Sequence, residues 1–459
     1  MWQPLRAPGR AGGTRIVPIV PLQVGEQRSE RASRRTDLAA LAAALGFAAT
    51  VTVIGVALGS AALAGKGPLY AAPLPHVGPG TPAAIAVAIA VLARGPQLAQ
   101  QWPWPRLLVA GYATAVAWTL SLAMVDGWGW FTSRLTGGHE YLAEVGGVTD
   151  VGAMLAGFVD RIPGGSPGIW ATHVAGHPPG AFLVFIGLDR VGLGGGAAAS
   201  LACVLVGGLA AVAVPVTLRA LGDEPAARAV VPFAALFPGA VWVGASADGL
   251  FAGVTATGVA LLALACAGHA PRHDVAALAG GVALGYGLYL SYGLTLMALP
   301  VLAVALVTRR LRPLLVGGGG VAAVVLAFTA SGFWWFDGYS ALVVRYHAGI
   351  AADRPYAFWV FANLACLLVV AGPLVVRAMP LALRYRRTPA AALFLAAAAA
   401  VALADLSGLS KAETERIWLP FAVWLLAGAA LLPPPSRRFW LVAAACTALA
   451  VNHLLLTVW

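Results

Sequence analysis

Acids and histidines concentrate in one stretch of an otherwise apolar chain, from Asp126 to Pro179. Carboxylates and imidazoles are the side chains that most often accept and donate protons in catalysis. The stretch holds Asp126, His139, Glu140, Tyr141, Glu144, Asp150, Asp160, Arg161 and His173, and it ends in the motif His177-Pro178-Pro179-Gly180. A membrane protein that keeps such groups in one extramembrane loop is expected to place its chemistry there.

Two carboxylates of this stretch are candidate general bases. Asp126 follows an apolar segment and precedes Gly127-Trp128-Gly129-Trp130, a pattern typical of a catalytic acid at a helix end or of a tryptophan belt at the membrane surface. Glu140 precedes Tyr141 and would share a helix face with Glu144, where like charges repel unless a cation lies between them. A solvated helix face explains the second pattern equally well, so both interpretations stay open.

His173 and His177 have the i, i+4 spacing of a zinc pair. Pro178 and Pro179 disfavour a regular helix through them, and no third ligand stands at a typical spacing. The sequence therefore gives no support for a metal, and we expect no cofactor. The prolines instead suit a helix start, whose free N–H groups would point into the loop towards a phosphate or a sugar hydroxyl.

A second group of charges lies in the segment from Ser407 to Arg416. Glu413 and Arg416 can pair at i, i+3 spacing, which leaves Lys411 and part of the guanidinium for an anion. The other basic side chains expected on the same side are Arg345, His347 and Arg354. Together they predict a phosphate site at the membrane surface, with contact to lipid headgroups as the alternative.

Composition indicates a membrane protein built of helices. Hydrophobic residues make up 60% of the chain and charged residues 10%, and the mean hydropathy is +0.83. Long apolar windows recur from end to end. They predict thirteen transmembrane helices, near residues 38–62, 81–94, 107–125, 197–217, 229–246, 249–268, 275–291, 293–308, 314–331, 357–376, 389–406, 417–432 and 438–457.

Arginine sets the expected orientation, because the only lysines are Lys66 and Lys411. The arginine-rich segment 1–36 is predicted to be a disordered cytoplasmic tail. Later basic clusters all fall on the cytoplasmic side if the segment from Gly180 to Leu193 lies at the interface instead of spanning. The loop 126–196 is then outside. The net charge of +11 reflects this topology and anionic membrane lipids, and a nucleic-acid partner is not expected.

These features together resemble the GT-C superfamily of polyprenyl-phosphate-sugar-dependent glycosyltransferases, which includes protein O-mannosyltransferases and the aminoarabinose transferases of lipid A. The resemblance rests on an acid at a helix end, the acidic-aromatic element at Glu140 and Tyr141, and the Pro-Pro motif after His177. Ser246-Ala247-Asp248-Gly249 is similar to the later aspartate of that fold, and Glu413-x-Glu415-Arg416 to its acidic-arginine motif. The sequence departs from the family in lacking an Asp-Glu doublet and in having Gly180 where leucine is usual.

The resemblance implies a GT-C-like core over residues 107–432, preceded by two extra helices within 37–106 and followed by a C-terminal helix within 433–459. It implies transfer of a sugar, with inversion, from a polyprenyl phosphate to an acceptor of the cell envelope, on the outer face of a bacterial plasma membrane. Asp126 or Glu140 would be the base, with Asp126 favoured. The residues implied to bind substrate are Tyr141, His173, His177, Asp248, Arg345, His347, Lys411, Glu413, Glu415 and Arg416.

Two other classes of protein fit the composition. A secondary transporter or a flippase for lipid-linked sugars would also have about a dozen spans, but its ionisable residues would line the midplane of the membrane. A non-catalytic membrane scaffold would need no cluster of acids. Because the acids lie at the predicted outer ends of the helices, the sequence favours the enzyme.

Overall fold

A computed structural model describes residues 20–59, 68–69, 71–164, 168–244, 246–269 and 272–457, with side chains from residue 33 onwards. Helices dominate the described part of the chain. The elements that precede the polar loop are α1 (Val20–Leu58), β1 (Ala71–Pro73), α2 (Thr81–Gln101) and α3 (Trp104–Ala123). Helix α1 begins inside the segment that we predicted to be a disordered tail, and residues 1–19 lie outside the described part.

Short helices fill the polar loop, and the sequence predicts the last of them, which starts at the prolines after His177. They are α4 (Trp128–Ser133), α5 (Leu142–Val145), α6 (Val151–Ala156), α7 (Thr172–Gly176) and α8 (Pro179–Arg190), with 3-10 turns at Arg134–Thr136 and Val159–Arg161. Helix α8 covers the segment predicted to lie at the interface. Its 12 residues are too short to cross a bilayer, which needs about 20.

The remaining helices pack into a bundle around a large apolar core. They are α9 (Gly196–Gly207), α10 (Ala210–Ala220), α11 (Glu224–Ala235), α12 (Ala240–Val243), α13 (Ala247–Ala267), α14 (His273–Leu290), α15 (Ala298–Thr308), α16 (Leu311–Ala330), α17 (Trp335–Ala348), α18 (Tyr356–Val370), α19 (Leu374–Arg384), α20 (Pro389–Leu406), α21 (Thr414–Ile417), α22 (Leu419–Leu425), α23 (Gly428–Leu431) and α24 (Pro434–Leu454). A 3-10 turn, Tyr292–Met297, joins α14 to α15.

The prediction of an all-α polytopic membrane fold is confirmed, but the number of thirteen spans is not. Seven helical stretches of the described residues are long and apolar enough to cross a membrane, and the pair α18 and α19, bent by 96°, would make an eighth. Several predicted spans are divided. The span expected at 229–246 falls on α11 and α12, where Pro238 and Gly239 interrupt the helix between them.

A short antiparallel sheet, which the sequence analysis did not predict, joins the segment before α2 to the C-terminal end of the described chain. Strand β1 pairs with β2 (Leu455–Thr457), with Ala71 opposite Thr457 and Pro73 opposite Leu455. The pairing continues beyond the sheet, because the backbone N–H groups of Leu74 and His76 donate to the carbonyls of Leu454 and His453. The loop that precedes α2 is thereby fixed against the end of α24.

A buried carboxylate anchors the first helix at another point. Asp37 of α1 is only 3% exposed, and its Oδ1 accepts hydrogen bonds from Arg377 Nε and Trp440 Nε1, each at 3.1 Å. Arg377 lies on α19 and Trp440 on α24. The predicted extra N-terminal span is thus tied to the last part of the chain.

Candidate functional site

Arg416 lies at the centre of a buried charge network. Its Nη1 donates to Oδ2 of Asp248 and its Nη2 to Oε2 of Glu413, both at 2.7 Å. Asp248 stands in the first turn of α13, where the helix dipole stabilises a negative charge. Glu413 immediately precedes α21, the helix that carries Arg416. Two carboxylates on one planar guanidinium fix the orientation of all three side chains.

His173 connects this network to Glu140. Its Nδ1 lies 2.7 Å from Oε2 of Glu140, and its Nε2 lies 3.3 Å from Nη2 of Arg416. Because a guanidinium nitrogen only donates, Nε2 of the histidine must accept and therefore carries no proton. We assign a neutral His173 whose Nδ1–H donates to the Glu140 carboxylate. Segments far apart in sequence thus meet in one continuous chain of hydrogen bonds.

The network holds more negative than positive charge. The carboxylates of Asp248 and Glu413 contact Arg416, that of Glu140 joins the network through His173, and Nη2 of Arg354 lies 3.9 Å from Oε1 of Glu413. Burial lowers the pKa of the Arg416 guanidinium, but Asp248 and Glu413 outweigh it, so the net pKa is raised. Burial likewise raises the pKa of Glu413, but Arg416 outweighs it and the net pKa is lowered. We therefore treat this arginine and glutamate as ionised near neutral pH.

The aromatic ring of Tyr141 packs beside the network. Its centroid lies 6.2 Å from that of His173, 5.9 Å from that of His177 and 5.1 Å from that of Phe185. Burial, reinforced by Asp248 and Glu140, raises the pKa of the phenol well above its usual value. The hydroxyl therefore stays protonated, and among the described residues it has no hydrogen-bond partner. It is a donor that a ligand can use.

His177 is a neutral ring at the edge of the network. Its Nδ1 lies 2.9 Å from the carbonyl oxygen of His173, a contact that requires a proton on Nδ1, and its ring packs 5.6 Å from that of Phe251. Burial lowers the pKa of the imidazole to about 4, although Asp248 opposes the shift. His173 and His177 thus have different partners. Within the described residues no three histidine, cysteine or acidic side chains are grouped to hold a metal ion.

The loop that presents Glu413 and Arg416 is held by Asn363 of α18. The amide nitrogen of Asn363 donates to Oδ1 of Asp405 at 2.8 Å and to the carbonyl of Ser410, while its oxygen accepts from the backbone N–H of Ala412. Ala412 and Glu413 have φ angles of 72° and 62°. Non-glycine residues in this left-handed region cost about 1–3 kcal/mol each, and such strain persists only where surrounding contacts enforce it.

Asp126 lies outside the network but near it. Its Oδ1 is 3.0 Å from Nε2 of His76, and the carboxylate side chain is 21% exposed. Arg134 is the electrostatic link between the two candidate bases. Burial lowers the pKa of the Arg134 guanidinium to about 10, and the charges of Asp126 and Glu140 oppose that shift.

The prediction that Glu140 and Glu144 share one helix face is wrong. Helix α5 begins only at Leu142, and Glu144 turns away to accept the backbone N–H of Ala171 at 2.9 Å and to approach Arg161 at 3.5 Å. The two glutamates therefore have separate partners. Glu144 holds the start of α7 in place and takes no part in the network.

Four of the residues expected to bind substrate have other contacts. Arg345 donates to the carbonyls of Ile162 and Trp170, and Lys411 to the carbonyl of Ala351. His347 is exposed and contacts the carbonyl of Val343 in its own helix. Glu415 is 1% exposed and lies within electrostatic reach of Cys366 on α18. Arg345 and Lys411 nevertheless connect loops that the charge pattern places on one side of the membrane.

Sequence reasoning missed three residues of the site: His76, Arg134 and Asn363. His76 lies in a loop that the resemblance does not cover, and Asn363 lies inside a predicted span. Arg134 lies close to the tryptophans of the loop, and its guanidinium stacks 4.0 Å from the ring centre of Trp130. Only Asn363 could have been found from the sequence, because an amide side chain inside an apolar helix needs hydrogen-bond partners.

A small cavity of about 30 Å³ adjoins the network at Asp248. It is lined mainly by the 3-10 turn after α14, the Ser410 region and helix α22, through residues Phe251, Ser291, Gly293, Leu294, Ala404, Ser410, Ile417, Trp418, Pro420 and Phe421. Such a volume holds one or two water molecules. A sugar needs more room, so a substrate would have to open this region.

No known sequence family and no curated protein sequence matches the chain. Two solved structures are similar in the arrangement of their helices. ArnT from Cupriavidus metallidurans in the apo state is 19% identical, and the alignment covers 71% of this chain and 59% of that chain with a TM-score of 0.41. The Archaeoglobus fulgidus oligosaccharyltransferase in complex with Zn and sulfate is 16% identical, with 76% and 52% covered and a TM-score of 0.41. This chain thus aligns with little more than half of either structure, and the case for its function rests on its own residues.

Proposed function

We propose that this protein is an inverting membrane glycosyltransferase that moves a sugar from a polyprenyl phosphate to an acceptor of the cell envelope. The observation that carries the proposal is the buried network that joins Glu140, His173, Asp248 and Arg416. It is built from the loops at the ends of apolar helices, where a lipid-linked substrate can present its headgroup. A transporter would instead place its ionisable groups along the midplane of its spans.

Asp126 is the better placed of the two candidate bases. A base must reach the acceptor hydroxyl directly or through one water molecule. Asp126 is partly exposed, and within the described residues its Oδ2 has no hydrogen bond. Glu140 is 6% exposed and already accepts from His173. We assign proton acceptance to Asp126 and orientation of the acceptor to Glu140, with Arg134 between them.

The proposed transfer forms one bond to the anomeric carbon and breaks another. Asp126 accepts the proton of the acceptor hydroxyl, and the oxygen forms a bond to the anomeric carbon of the sugar. The bond from that carbon to the phosphate oxygen breaks, and the polyprenyl phosphate leaves with the electron pair. Cationic groups near the departing oxygen lower the barrier by stabilising its negative charge.

Arg416 is the proposed group for that role, but it can meet the phosphate only by exchanging one of its carboxylate partners. Glu413 is the partner that can move, because its side chain is 23% exposed whereas that of Asp248 is 4% exposed. Arg416 and the neighbouring Arg354 would then face the phosphate together, with Tyr141 as a neutral donor nearby.

Sugar transfer from radiolabelled polyprenyl-phosphate sugars in membranes tests the function. Asp126→Asn should abolish transfer while donor binding and expression persist, because the amide keeps the size of the side chain and cannot accept the proton. Glu140→Gln should leave measurable turnover. Full activity of the Asp126→Asn protein would move the role of base to Glu140, and absence of transfer by the wild-type protein across such donors would overturn the proposed function.

A further inference from the structure

His76 contacts Asp126 from outside the predicted catalytic core. Its ring nitrogen Nε2 lies 3.0 Å from Oδ1 of Asp126, and Nδ1 lies 2.7 Å from the carbonyl oxygen of Leu74. Both partners are acceptors. The form of the ring that satisfies both contacts is therefore the imidazolium, which donates from each nitrogen. In this form the pair is a charge-assisted hydrogen bond to one oxygen of the carboxylate.

The loop that carries His76 is held by contacts that leave little freedom at this position. The backbone N–H of His76 donates to the carbonyl of His453, and the Nε2 atom of His453 lies 3.0 Å from Oγ1 of Thr81. Gly78 permits the close approach to α3, since a Cβ at this position would collide with the carbonyl oxygen of Val125. The ring is thus directed at the residue that follows Val125.

This part of the structure also holds Arg134. Its Nη2 donates to the carbonyl of Thr457, in strand β2, at 2.7 Å, and the guanidinium interacts electrostatically with Asp126. A donor on Oδ1 leaves Oδ2 as the oxygen that can accept a proton.

We propose that His76 is a positioning residue for the glycosyl transfer: it holds Asp126 through Oδ1 and directs Oδ2 to the acceptor hydroxyl. This inference rests on the proposed function and deepens it. In this proposal the sheet between β1 and β2 holds the loop of His76 at hydrogen-bonding distance from Asp126.

The test compares His76→Ala, His76→Gln and His269→Ala in the full-length protein. His269 is an exposed histidine away from the site and serves as the matched control. His76→Ala should lower kcat at least tenfold with little change in KM for the donor. His76→Gln keeps a donor without the charge and should restore part of kcat. Wild-type kcat in His76→Ala, or no gain of kcat in His76→Gln over His76→Ala, would overturn the inference.

A second measurement separates this inference from the proposed function. Diethyl pyrocarbonate reacts with a ring nitrogen of histidine that is free to react, so the modification of His76, followed by mass spectrometry, reports whether Asp126 holds Nε2 without any transfer assay. We expect Asp126→Asn to speed the modification of His76 several-fold at pH 7 while that of His269 is unchanged. Equal rates of His76 modification in wild-type and Asp126→Asn protein would overturn the pairing, even if the wild-type enzyme transfers sugar.

Discussion

At the scale of single residues, Arg416 and Glu413 should have opposite effects on the binding of a polyprenyl phosphate. Arg416→Ala should weaken binding and cost about 3–5 kcal/mol of stability, because it leaves the carboxylates of Asp248 and Glu413 without their shared cation. Arg416→Lys should restore only part of both, since an ammonium lacks the planar fork. Glu413→Gln should strengthen binding several-fold, because it removes the anion that competes with the phosphate.

Titration of detergent-solubilised protein with polyprenyl phosphate, alongside denaturant unfolding of each variant, checks these expectations. Asp248→Asn is the comparison for Glu413→Gln, because it also removes one carboxylate from Arg416 but at the more buried position. Weaker phosphate binding in Glu413→Gln would contradict the exchange of partners and mark Glu413 as part of the binding surface.

His177 should make the protein less stable in acid. Its pKa in the folded state is about 4, below the usual 6.5, because burial disfavours the charged ring. Between these values the unfolded chain binds more protons than the folded protein, so the free energy of unfolding falls as the pH drops from about 6.5 to about 4, by up to about 1.4 kcal/mol per pH unit.

Thermal unfolding of wild-type and His177→Gln protein across this pH range measures the effect. The variant cannot gain a charge, so its melting temperature should decline less steeply than that of the wild type. Parallel curves for the two proteins would show that the acid sensitivity arises elsewhere.

At the scale of elements, Gly180 allows α8 to contact α14. A Cβ at this position would lie 2.5 Å from the carbonyl oxygen of Tyr289, and the carbonyl of Gly180 accepts a hydrogen bond from Tyr286 at 2.8 Å. Gly180→Leu, which introduces the residue usual in the resembled family, should therefore destabilise the protein by about 1–3 kcal/mol or more. Gly187→Leu on the same helix is the control, because open space surrounds that position. Equal melting temperatures for the two variants would contradict this account.

The helix at the end of the polar loop could be predicted, whereas the contacts within the loop could not. Pro178 and Pro179 mark the start of α8 because proline suits the first turn of a helix. The i, i+4 spacing of Glu140 and Glu144 suggested a shared face, but that inference requires a helix through both residues, and α5 begins after Glu140. Local spacing indicates contacts only where the helix that would create them forms.

Contacts between residues that are far apart in sequence could not be predicted either, as the charged network shows. The acid at position 248 and the arginine at position 416 could be chosen from the sequence, since charges at the ends of apolar helices need partners. Their contact with each other, and the link through His173, depend on the packing of α7, α13 and α21, which no local pattern records. His76 was missed for this reason, because only the pairing of β1 with β2 brings it to Asp126.

At the scale of the whole molecule, the loops assigned to one side by the arginine pattern do contact each other. Arg416 reaches Asp248, and Arg345 reaches Ile162 and Trp170. Arg219 and Arg228, which the pattern assigns to the opposite side, pair instead with Glu224. A consistent division of the loops into two sets is what a multi-pass membrane protein requires, but it does not show which set faces the cytoplasm.

The orientation itself is the last prediction: the loop 126–196 is outside and the loop between α19 and α20 is cytoplasmic. Labelling positions must be exposed, which excludes Glu140 and favours Asp160 and Arg386. A Cys446→Ala background is needed, because Cys446 is the exposed thiol among the four cysteines. In intact cells, a membrane-impermeant maleimide should label the Asp160→Cys protein and should label the Arg386→Cys protein only after permeabilisation. The positive-inside bias of the arginines requires this result. The reverse pattern would place the charged network in the cytoplasm and remove the basis for an outer-face transferase.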